Sequence, residues 1–189
     1  MPASVRTFDV EIRRHLEVAA LDVLTDADAE AADEEGYLAG NHYYRDLRGW
    51  SWSDVRAMLA YEADLVAKIM SAPDPAAAEQ TFEDEREIDE DSVEGLRGLD
   101  VGVGAAVTAL SALGATPTIS CNAGAFGAPH AASYPYVAFY LSEASPDVLL
   151  QLAKSAELGL EARDGLGHLY ARSLSDLARF AELALERFG

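Results

Sequence analysis

Several residue types are scarce in this 189-residue chain, and each shortage excludes a class of protein. The single cysteine, Cys121, cannot form an internal disulfide, which excludes a disulfide-stapled secreted scaffold. Lys and Arg number 14 against 33 Asp and Glu, so the net charge is −19 and we expect no direct binding to nucleic-acid backbones. No apolar run approaches the roughly 20 residues that span a bilayer, and the N-terminus lacks the apolar core of a signal peptide. We therefore expect a cytoplasmic protein without membrane contact.

The acidic side chains are concentrated in the first half of the chain. Residues 1–100 hold 25 of the 33, and residues 83–91 hold seven against one arginine, Arg86. Charges this dense repel one another, which favours a solvated linker. We predict an acidic helical region at 1–80, an acidic linker at 81–98 and an α/β sandwich-like unit at 99–189, packed together as one domain. The high Ala, Asp and Arg content is typical of a bacterial chain.

Helical spacing of apolar residues is the main pattern before the acidic run. Residues from about 10 to 38 mix apolar and charged side chains, with Leu16 and Val23 on one expected face. A stronger stripe follows in residues 51–71, where a serine can cap the first turn and Pro73 and Pro75 end the helix. The N-terminal half is therefore predicted to be helical.

From Asp100 onward the pattern alternates between helices and pairs of strands. Asp100 stands where a helix N-cap belongs, and Pro146 stands at the first position of another helix. The dipeptide Asp164-Gly165 is a strong signal for a short hairpin. The predicted order is α-β-β-α-β-β-α. We expect an α+β fold in which a mostly antiparallel four-stranded sheet is covered by helices and packs with the helical N-terminal half.

A long connection, "NAGAFGAPHAASY" at residues 122–134, separates the first two predicted strands. Hairpin loops usually have two to five residues, and longer ones tend to be functional. Its glycines leave backbone amides accessible to an anion or a polar ligand, while its rings could cover that ligand. A hairpin tip whose glycines only permit the turn is the alternative. The predicted ligand-binding residues are Ser120, Cys121, Asn122, Gly124, Gly127, His130 and Tyr134.

Cys121 is either a buried apolar residue or a nucleophile activated by a base. His130 and His168 are the candidate bases, since His168 lies in the last predicted strand and could approach across the sheet. The three form the candidate catalytic set. No CxxC or HxxxH spacing is present, so we predict no metal site and no cofactor.

A second candidate site is the aromatic and basic cluster "NHYYRDLRGWSW" at residues 41–52. Aromatic rings beside arginines are typical of binding hot spots, although a corner between packed helices has the same composition. The predicted partner-binding residues are His42, Tyr43, Tyr44, Arg48, Trp50 and Trp52.

The segment "LDVGVGAAVTALSALGATPTISCNAG" followed by "YVAFY" resembles the tRNA wybutosine-synthesizing protein 3 family. That family has an Asp before an apolar helix and then a strand ending in Thr-x-Ser-Ser-Cys-x-Gly-Arg, and small bacterial proteins of unassigned role have a similar strand end. The resemblance implies a ligand site at Ser120, Cys121 and Gly124, and an activity that methylates a tRNA base with S-adenosylmethionine. Ala125 stands where the family has its basic residue, and the acidic charge does not suit tRNA binding.

These patterns favour a binding module, accessory or regulatory, in which residues 121–134 hold a small-molecule ligand or a protein partner. An enzyme, methyltransferase-like or cysteine-dependent with Cys121 at its site, is the first alternative. An acidic nucleic-acid mimic or inhibitor that binds a basic partner through residues 83–91 is the second.

Overall fold

The computed structural model describes residues 5–86 and 96–189, and in these ranges the chain forms six α-helices and five β-strands. In chain order the elements are β1 (Arg14–His15), α1 (Asp26–Glu35), α2 (Trp52–Ser71), α3 (Pro75–Arg86), α4 (Gly104–Ala112), β2 (Thr116–Cys121), β3 (Tyr136–Tyr140), α5 (Pro146–Ser155), β4 (Gly159–Arg163), β5 (Leu166–Tyr170) and α6 (Leu174–Phe188). Single 3-10 turns occur at Val18–Ala20 and Leu96–Gly98. The predicted α+β class is confirmed.

The sheet has the strand order β1-β4-β5-β3-β2. Strand β1 runs parallel to β4, and the other neighbouring strands are antiparallel. The predicted four-stranded antiparallel sheet is therefore wrong, because the N-terminal segment adds a fifth, parallel strand. Two contacts hold that strand: the Leu160 N–H donates to the carbonyl of Arg13 at 2.8 Å, and Nε of Arg14 donates to the carbonyl of Leu158 at 2.7 Å. A two-residue strand carries no alternating pattern that sequence analysis can detect.

The helix predicted from about residue 10 to residue 38 is present only at its end. Helix α1 begins at Asp26, where Oγ1 of Thr25 accepts from the N–H of Asp28 at 3.1 Å, and Gly36 caps its C-terminal end after Glu35. Residues 5–24 contain only the short strand β1 and one 3-10 turn, and are otherwise irregular. The proposed apolar face does not exist, since Val23 is 89% exposed while Leu16 is buried.

Helix α4 is the centre of the core. It contacts α2, α6 and β2, and residues 104–111 are all buried. Helix α2 begins with a capping box at Ser51 and presents Val55, Met58, Leu65 and Ile69 to the core. The N-terminal helices therefore pack directly on the C-terminal ones.

The two faces of the sheet differ. Val137, Phe139, Leu160 and Leu169 are buried in the core cluster with the helices. Side chains alternate along a strand, so the residues between them point to the other face. That second face carries Tyr136, Ala138, His168 and Tyr170, which are paired across β3 and β5.

The predicted acidic linker at 81–98 overlaps two elements. Helix α3 extends to Arg86, and a 3-10 turn begins at Leu96, while residues 87–95 lie outside the described residues. Residues 83–86 of the acidic run are thus helical, and residues 87–91 of the run lie outside the described residues. Within the described ranges, no helix combines the length and apolarity that crossing a membrane requires.

Candidate functional site

Strand β2 ends at Cys121, and the chain then turns sharply into the long connection to β3. The side-chain Oδ1 of Asn122 accepts from the N–H of Gly124 at 2.9 Å, which closes the turn. Gly124 has φ +68°, and a Cβ there would collide with the carbonyl oxygen of Ala128. Residues 122–126 are buried, so this part of the loop is a packed structure and not a free hairpin tip.

Three different donor groups converge at the end of β2. Sγ of Cys121 lies 3.3 Å from Nδ1 of His130, and the same Nδ1 lies 3.9 Å from Oδ2 of Asp100. One donor atom from each residue lies within 4.8 Å of the other two. The side chains of His130 and Asp100 are 19% and 23% exposed, which leaves the cluster accessible to a small solute. We call Asp100, Cys121 and His130 the donor cluster.

Backbone amides hold the cluster in place. The N–H of Asn122 donates to Oδ2 of Asp100 at 3.1 Å, and the N–H of Ala123 donates to Sγ of Cys121 at 3.3 Å. The loop therefore orients two of the three donors through its own main chain.

A buried carboxylate on α3 supports the turn from behind. Nδ2 of Asn122 donates to Oε1 of Glu79 at 2.6 Å and to the carbonyl of Val101 at 3.2 Å. Glu79 is 1% exposed, and its second oxygen, Oε2, has no hydrogen-bond partner among the described residues. Burial raises the pKa of Glu79, and the nearby carboxylates of Glu83 and Asp100 raise it further, against the Asn122 hydrogen bond and His130.

The thiol of Cys121 is not activated. Burial raises its pKa, and Asp100 raises it further by its charge and by a hydrogen bond. The N–H of Ala123 opposes this change but does not outweigh it. With no added cation, Cys121 is therefore a neutral thiol at neutral pH.

The other predicted ligand-binding residues are not part of this cluster. Ser120 precedes Cys121 on β2, so its side chain points to the opposite face of the sheet. Gly127 has φ +114° in the exposed second part of the loop. Tyr134 packs edge-on against His168 with a centroid distance of 6.3 Å.

His168 does not approach Cys121 across the sheet as the sequence suggested. It is opposite Ala138 of β3, so strand β3 stands between it and β2. Its ring stacks on Tyr136 at 4.6 Å. Of the two candidate bases, the structure brings only His130 to the thiol.

The six predicted partner-binding residues do not share one surface. His42, Tyr43 and Tyr44 line a cleft of about 940 Å³ together with Ser120 and Asp100. In that cleft Tyr44 is 2% exposed and Tyr43 is 91% exposed.

The remaining three lie elsewhere. Arg48 and Trp50 line a different groove, beside Gly114, and Nη2 of Arg48 pairs with Asp46 at 2.7 Å. Trp52 stacks on Phe188 with a centroid distance of 6.1 Å.

The predicted N-cap role of Asp100 is wrong. Helix α4 starts at Gly104, and its N-terminal amides are occupied by Glu62 of α2, whose Oε1 accepts from Gly102 and Gly104, both at 2.8 Å. Those amides are consequently unavailable to an external anion. Asp100 instead turns toward Cys121 and His130.

Sequence analysis missed the roles of Asp100, Glu79 and Glu62. Glu79 lies in a helix that starts at Pro75, which was interpreted only as a helix stop. The contacts of Glu79 and Glu62 span 43 and 40 positions of the chain, and no local spacing signals such a pair. Asp100 and Cys121 are likewise 21 positions apart.

Comparison with known proteins identifies no relative. No protein-family model matches the chain, and no curated protein or solved structure is significantly similar to it.

Proposed function

We propose that this protein binds a divalent transition metal, with Zn²⁺ the best fit, through Asp100, Cys121 and His130. The proposal gives the predicted ligand-binding loop at 121–134 a definite ligand. The observation that carries it is the convergence of a thiol, an imidazole and a carboxylate on one point. These three groups are the ones that bind Zn²⁺ in proteins.

The distances between the donors suit a tetrahedral ion. Tetrahedral bonds of about 2.0–2.3 Å to Zn²⁺ place a sulfur and a nitrogen roughly 3.5 Å apart, and a nitrogen and an oxygen roughly 3.4 Å apart. The distance of 3.3 Å from Sγ of Cys121 to Nδ1 of His130 is close to the first value, while the 3.9 Å from that nitrogen to Oδ2 of Asp100 exceeds the second by about 0.5 Å. Binding would require the Asp100 carboxylate to move by about half an ångström.

The geometry favours a metal over a cysteine nucleophile. In a catalytic triad the base contacts the nucleophile with one ring nitrogen and the orienting carboxylate with the other. Here the same nitrogen, Nδ1 of His130, faces both Cys121 and Asp100. Three donors around one point can coordinate the same ion. They do not form a triad, in which the imidazole lies between the nucleophile and the carboxylate.

The electrostatics point the same way. A thiolate nucleophile needs a positive environment, which lowers the pKa of its thiol. For Cys121, burial raises the pKa of the thiol instead, and the charge and hydrogen bond of Asp100 raise it further. An environment that disfavours a thiolate by itself favours a divalent cation, which binds the thiolate and displaces its proton.

Three protein ligands leave one position of a tetrahedral ion open. Structural zinc sites normally have four protein ligands, whereas sites that bind water or a substrate have three. The partial exposure of Asp100 and His130 leaves access to that position. We therefore propose a metal site that binds a further small molecule, in keeping with the binding module that the sequence predicts.

The test is metal content and affinity in untagged, reduced protein. We expect one Zn²⁺ per chain by elemental analysis and native mass spectrometry. We also expect Co²⁺ to give a thiolate charge-transfer band. Cys121→Ser, His130→Ala and Asp100→Asn should each weaken Zn²⁺ binding by more than about 100-fold, since loss of an outer-shell partner alone costs 10–100-fold.

His15→Ala is the matched control, because His15 is exposed on β1 and lies outside the cluster. It should bind Zn²⁺ as the wild type does. The proposal is wrong if the reduced wild type takes up no stoichiometric Zn²⁺ or Co²⁺. Equal binding by the wild type and by the Cys121 and His130 variants would also contradict it.

A further inference from the structure

A cavity of about 790 Å³ lies against the sheet face that points away from the helices. Its floor includes Ile119, Tyr136, Ala138 and His168, which lie on three neighbouring strands. Small-molecule sites typically have volumes of 300–1,000 Å³ and apolar walls with few polar groups. The cavity has the size for a compact organic ligand, and its lining combines aromatic and apolar residues with the charged Asp22, Arg163 and Asp164.

Aromatic rings form one wall of this cavity. The rings of Tyr136 and His168 are stacked at 4.6 Å with an interplanar angle of 21°. Tyr134 stands edge-on to His168 at an angle of 85°, with its hydroxyl 3.4 Å from Nη1 of Arg163. Such a wall favours a planar aromatic ligand, since rings gain from offset stacking and edge-to-face contacts.

His168 supplies a polar group in this wall. Its side chain is buried with 7% exposure, and Nδ1 has no hydrogen-bond partner among the described residues. A buried polar atom without a partner is costly and calls for an explanation such as an absent ligand. Burial also lowers the pKa of His168 to about 4, so the ring is neutral near pH 7 and can serve a neutral aromatic ligand.

The cavity adjoins the donor cluster. Tyr136 is directly opposite Cys121 in the β2–β3 ladder, and the side chains of such a pair share one face about 5 Å apart. Residues 131–134, which follow His130 in the loop, form part of the cavity wall. Asp100, Cys121 and His130 do not themselves line the cavity, so a ring stacked beside Tyr136 would reach the proposed metal through a substituent.

We infer that this cavity is the substrate pocket of the metal site, and that it takes a planar aromatic molecule bearing an oxygen donor that coordinates the metal. The inference rests on the proposed metal binding. It adds the substrate class: the ring contacts Tyr136, Tyr134 and His168, and the oxygen donor completes the metal's coordination.

A pair of hydroxamates tests this on the full chain loaded with Co²⁺. Benzohydroxamate has an aromatic ring, while acetohydroxamate has the same metal-binding group and only a methyl. Visible absorption of the bound Co²⁺ gives the Kd of each. We expect benzohydroxamate to bind about tenfold more tightly, because ring stacking adds to metal coordination.

Tyr136→Leu should remove this preference while the cobalt spectrum without hydroxamate is unchanged. Tyr134→Leu is the second variant, since Tyr134 precedes β3 and takes no part in its pairing with β5. Tyr37→Leu is the matched control: Tyr37 is 47% exposed and lies outside the cavity lining, so the preference should persist.

The outcomes separate the two proposals. Failure to bind Co²⁺ would overturn the metal site and this inference with it. Bound Co²⁺ with equal affinities for the two hydroxamates would overturn the inference alone. So would a preference that survives in both the Tyr136 and the Tyr134 variants.

Discussion

The carboxylate of Glu62, on α2, accepts a hydrogen bond from the N–H of Gly104 at the start of α4, with a distance of 2.8 Å. The N–H groups of Gly102 and Ala105 donate to the same carboxylate, also at 2.8 Å. Glu62 is 4% exposed. A side chain from another helix thus satisfies the amides that a helix N-terminus normally leaves unpaired, and it ties α2 to the central helix of the core.

Loss of this carboxylate should destabilise the whole fold. Glu62→Ala leaves three buried N–H groups without an acceptor, and each such group costs about 1–3 kcal/mol. We expect the free energy of unfolding to fall by at least about 3 kcal/mol, measured by urea denaturation. Glu34→Ala, an exposed change of the same kind on α1, is the control and should change stability by less than about 0.5 kcal/mol. Equal effects of the two substitutions would contradict the proposed role of Glu62.

The same residue should make stability depend on pH. Burial raises the pKa of Glu62 from 4.5 to about 7, more than its three N–H hydrogen bonds lower it. The folded chain therefore binds more protons than the unfolded chain between these two values, so the free energy of unfolding falls as the pH rises through them. A shift of this size corresponds to roughly 3 kcal/mol.

The measurement is urea denaturation of the wild type and Glu62→Gln across pH 4–8. Gln does not titrate, so the difference in stability between the two proteins isolates the Glu62 contribution. The wild type should lose stability relative to Glu62→Gln as the pH rises, and the difference between the two proteins should become constant above about pH 7. A difference that is constant with pH would show that the pKa of Glu62 is not raised.

Several C-terminal elements could be predicted because their signals are local. Ser145 and Pro146 mark the start of α5, and Asp164-Gly165 joins β4 to β5 in an antiparallel hairpin. The N-terminal segment was mispredicted because β1 is held by main-chain contacts to β4, about 145 positions away. Such pairing depends on tertiary structure and leaves no periodic pattern in a two-residue strand.

The candidate site could be predicted only in part. Cys121 and His130 are nine positions apart in one loop, and the length of that loop was sufficient to single them out. The choice between His130 and His168 depends on strand order, since β3 lies between β2 and β5. The third donor, Asp100, was predicted to cap helix α4. The amides at the start of that helix are bound by Glu62 instead, and Glu62 lies 42 positions before Gly104, so no local pattern indicates it.

Gly124 should be required for the turn that follows Cys121. Its φ is +68°, and a Cβ there would collide with the carbonyl oxygen of Ala128, whereas Gly36 has nearly the same φ of +66° and nothing within 4 Å. Both alanine substitutions incur the left-handed penalty of about 1 kcal/mol, but only Gly124→Ala adds a collision with main chain. We expect Gly124→Ala to lower the free energy of unfolding by about 1–2 kcal/mol more than Gly36→Ala does. Similar losses for the two variants would show that the turn accommodates the extra methyl group.

Glu79 should strengthen metal binding without contacting the metal. It holds Asn122, the residue after Cys121, and its buried carboxyl group lies close enough to Asp100 and His130 to interact with both electrostatically. Outer-shell partners of this kind typically contribute 10–100-fold to metal affinity. We expect Glu79→Gln to weaken Zn²⁺ binding by about tenfold, measured by competition with a chromophoric chelator. Glu85→Gln removes the same charge from an exposed position of the same helix and should leave the affinity unchanged.

In metal-free protein, Cys121 should react slowly with alkylating agents. Asp100 raises the pKa of the thiol in addition to the effect of burial, so little thiolate is present at pH 8. In EDTA-treated protein, Asp100→Asn should therefore increase the rate of alkylation by iodoacetamide at pH 8, by severalfold or more. The control Asp84→Asn changes an exposed carboxylate on α3 and should leave the rate unchanged.

Zn²⁺ separates this effect from a simple change in access to the thiol. Added Zn²⁺ should protect Cys121 of the wild type from alkylation, because a bound thiolate is a poorer nucleophile. Asp100→Asn should be protected only at much higher Zn²⁺ concentrations, since it lacks one of the three donors. If Asp100→Asn is alkylated faster but is protected by the same Zn²⁺ concentration as the wild type, then Asp100 acts on the thiol alone and is not a metal ligand.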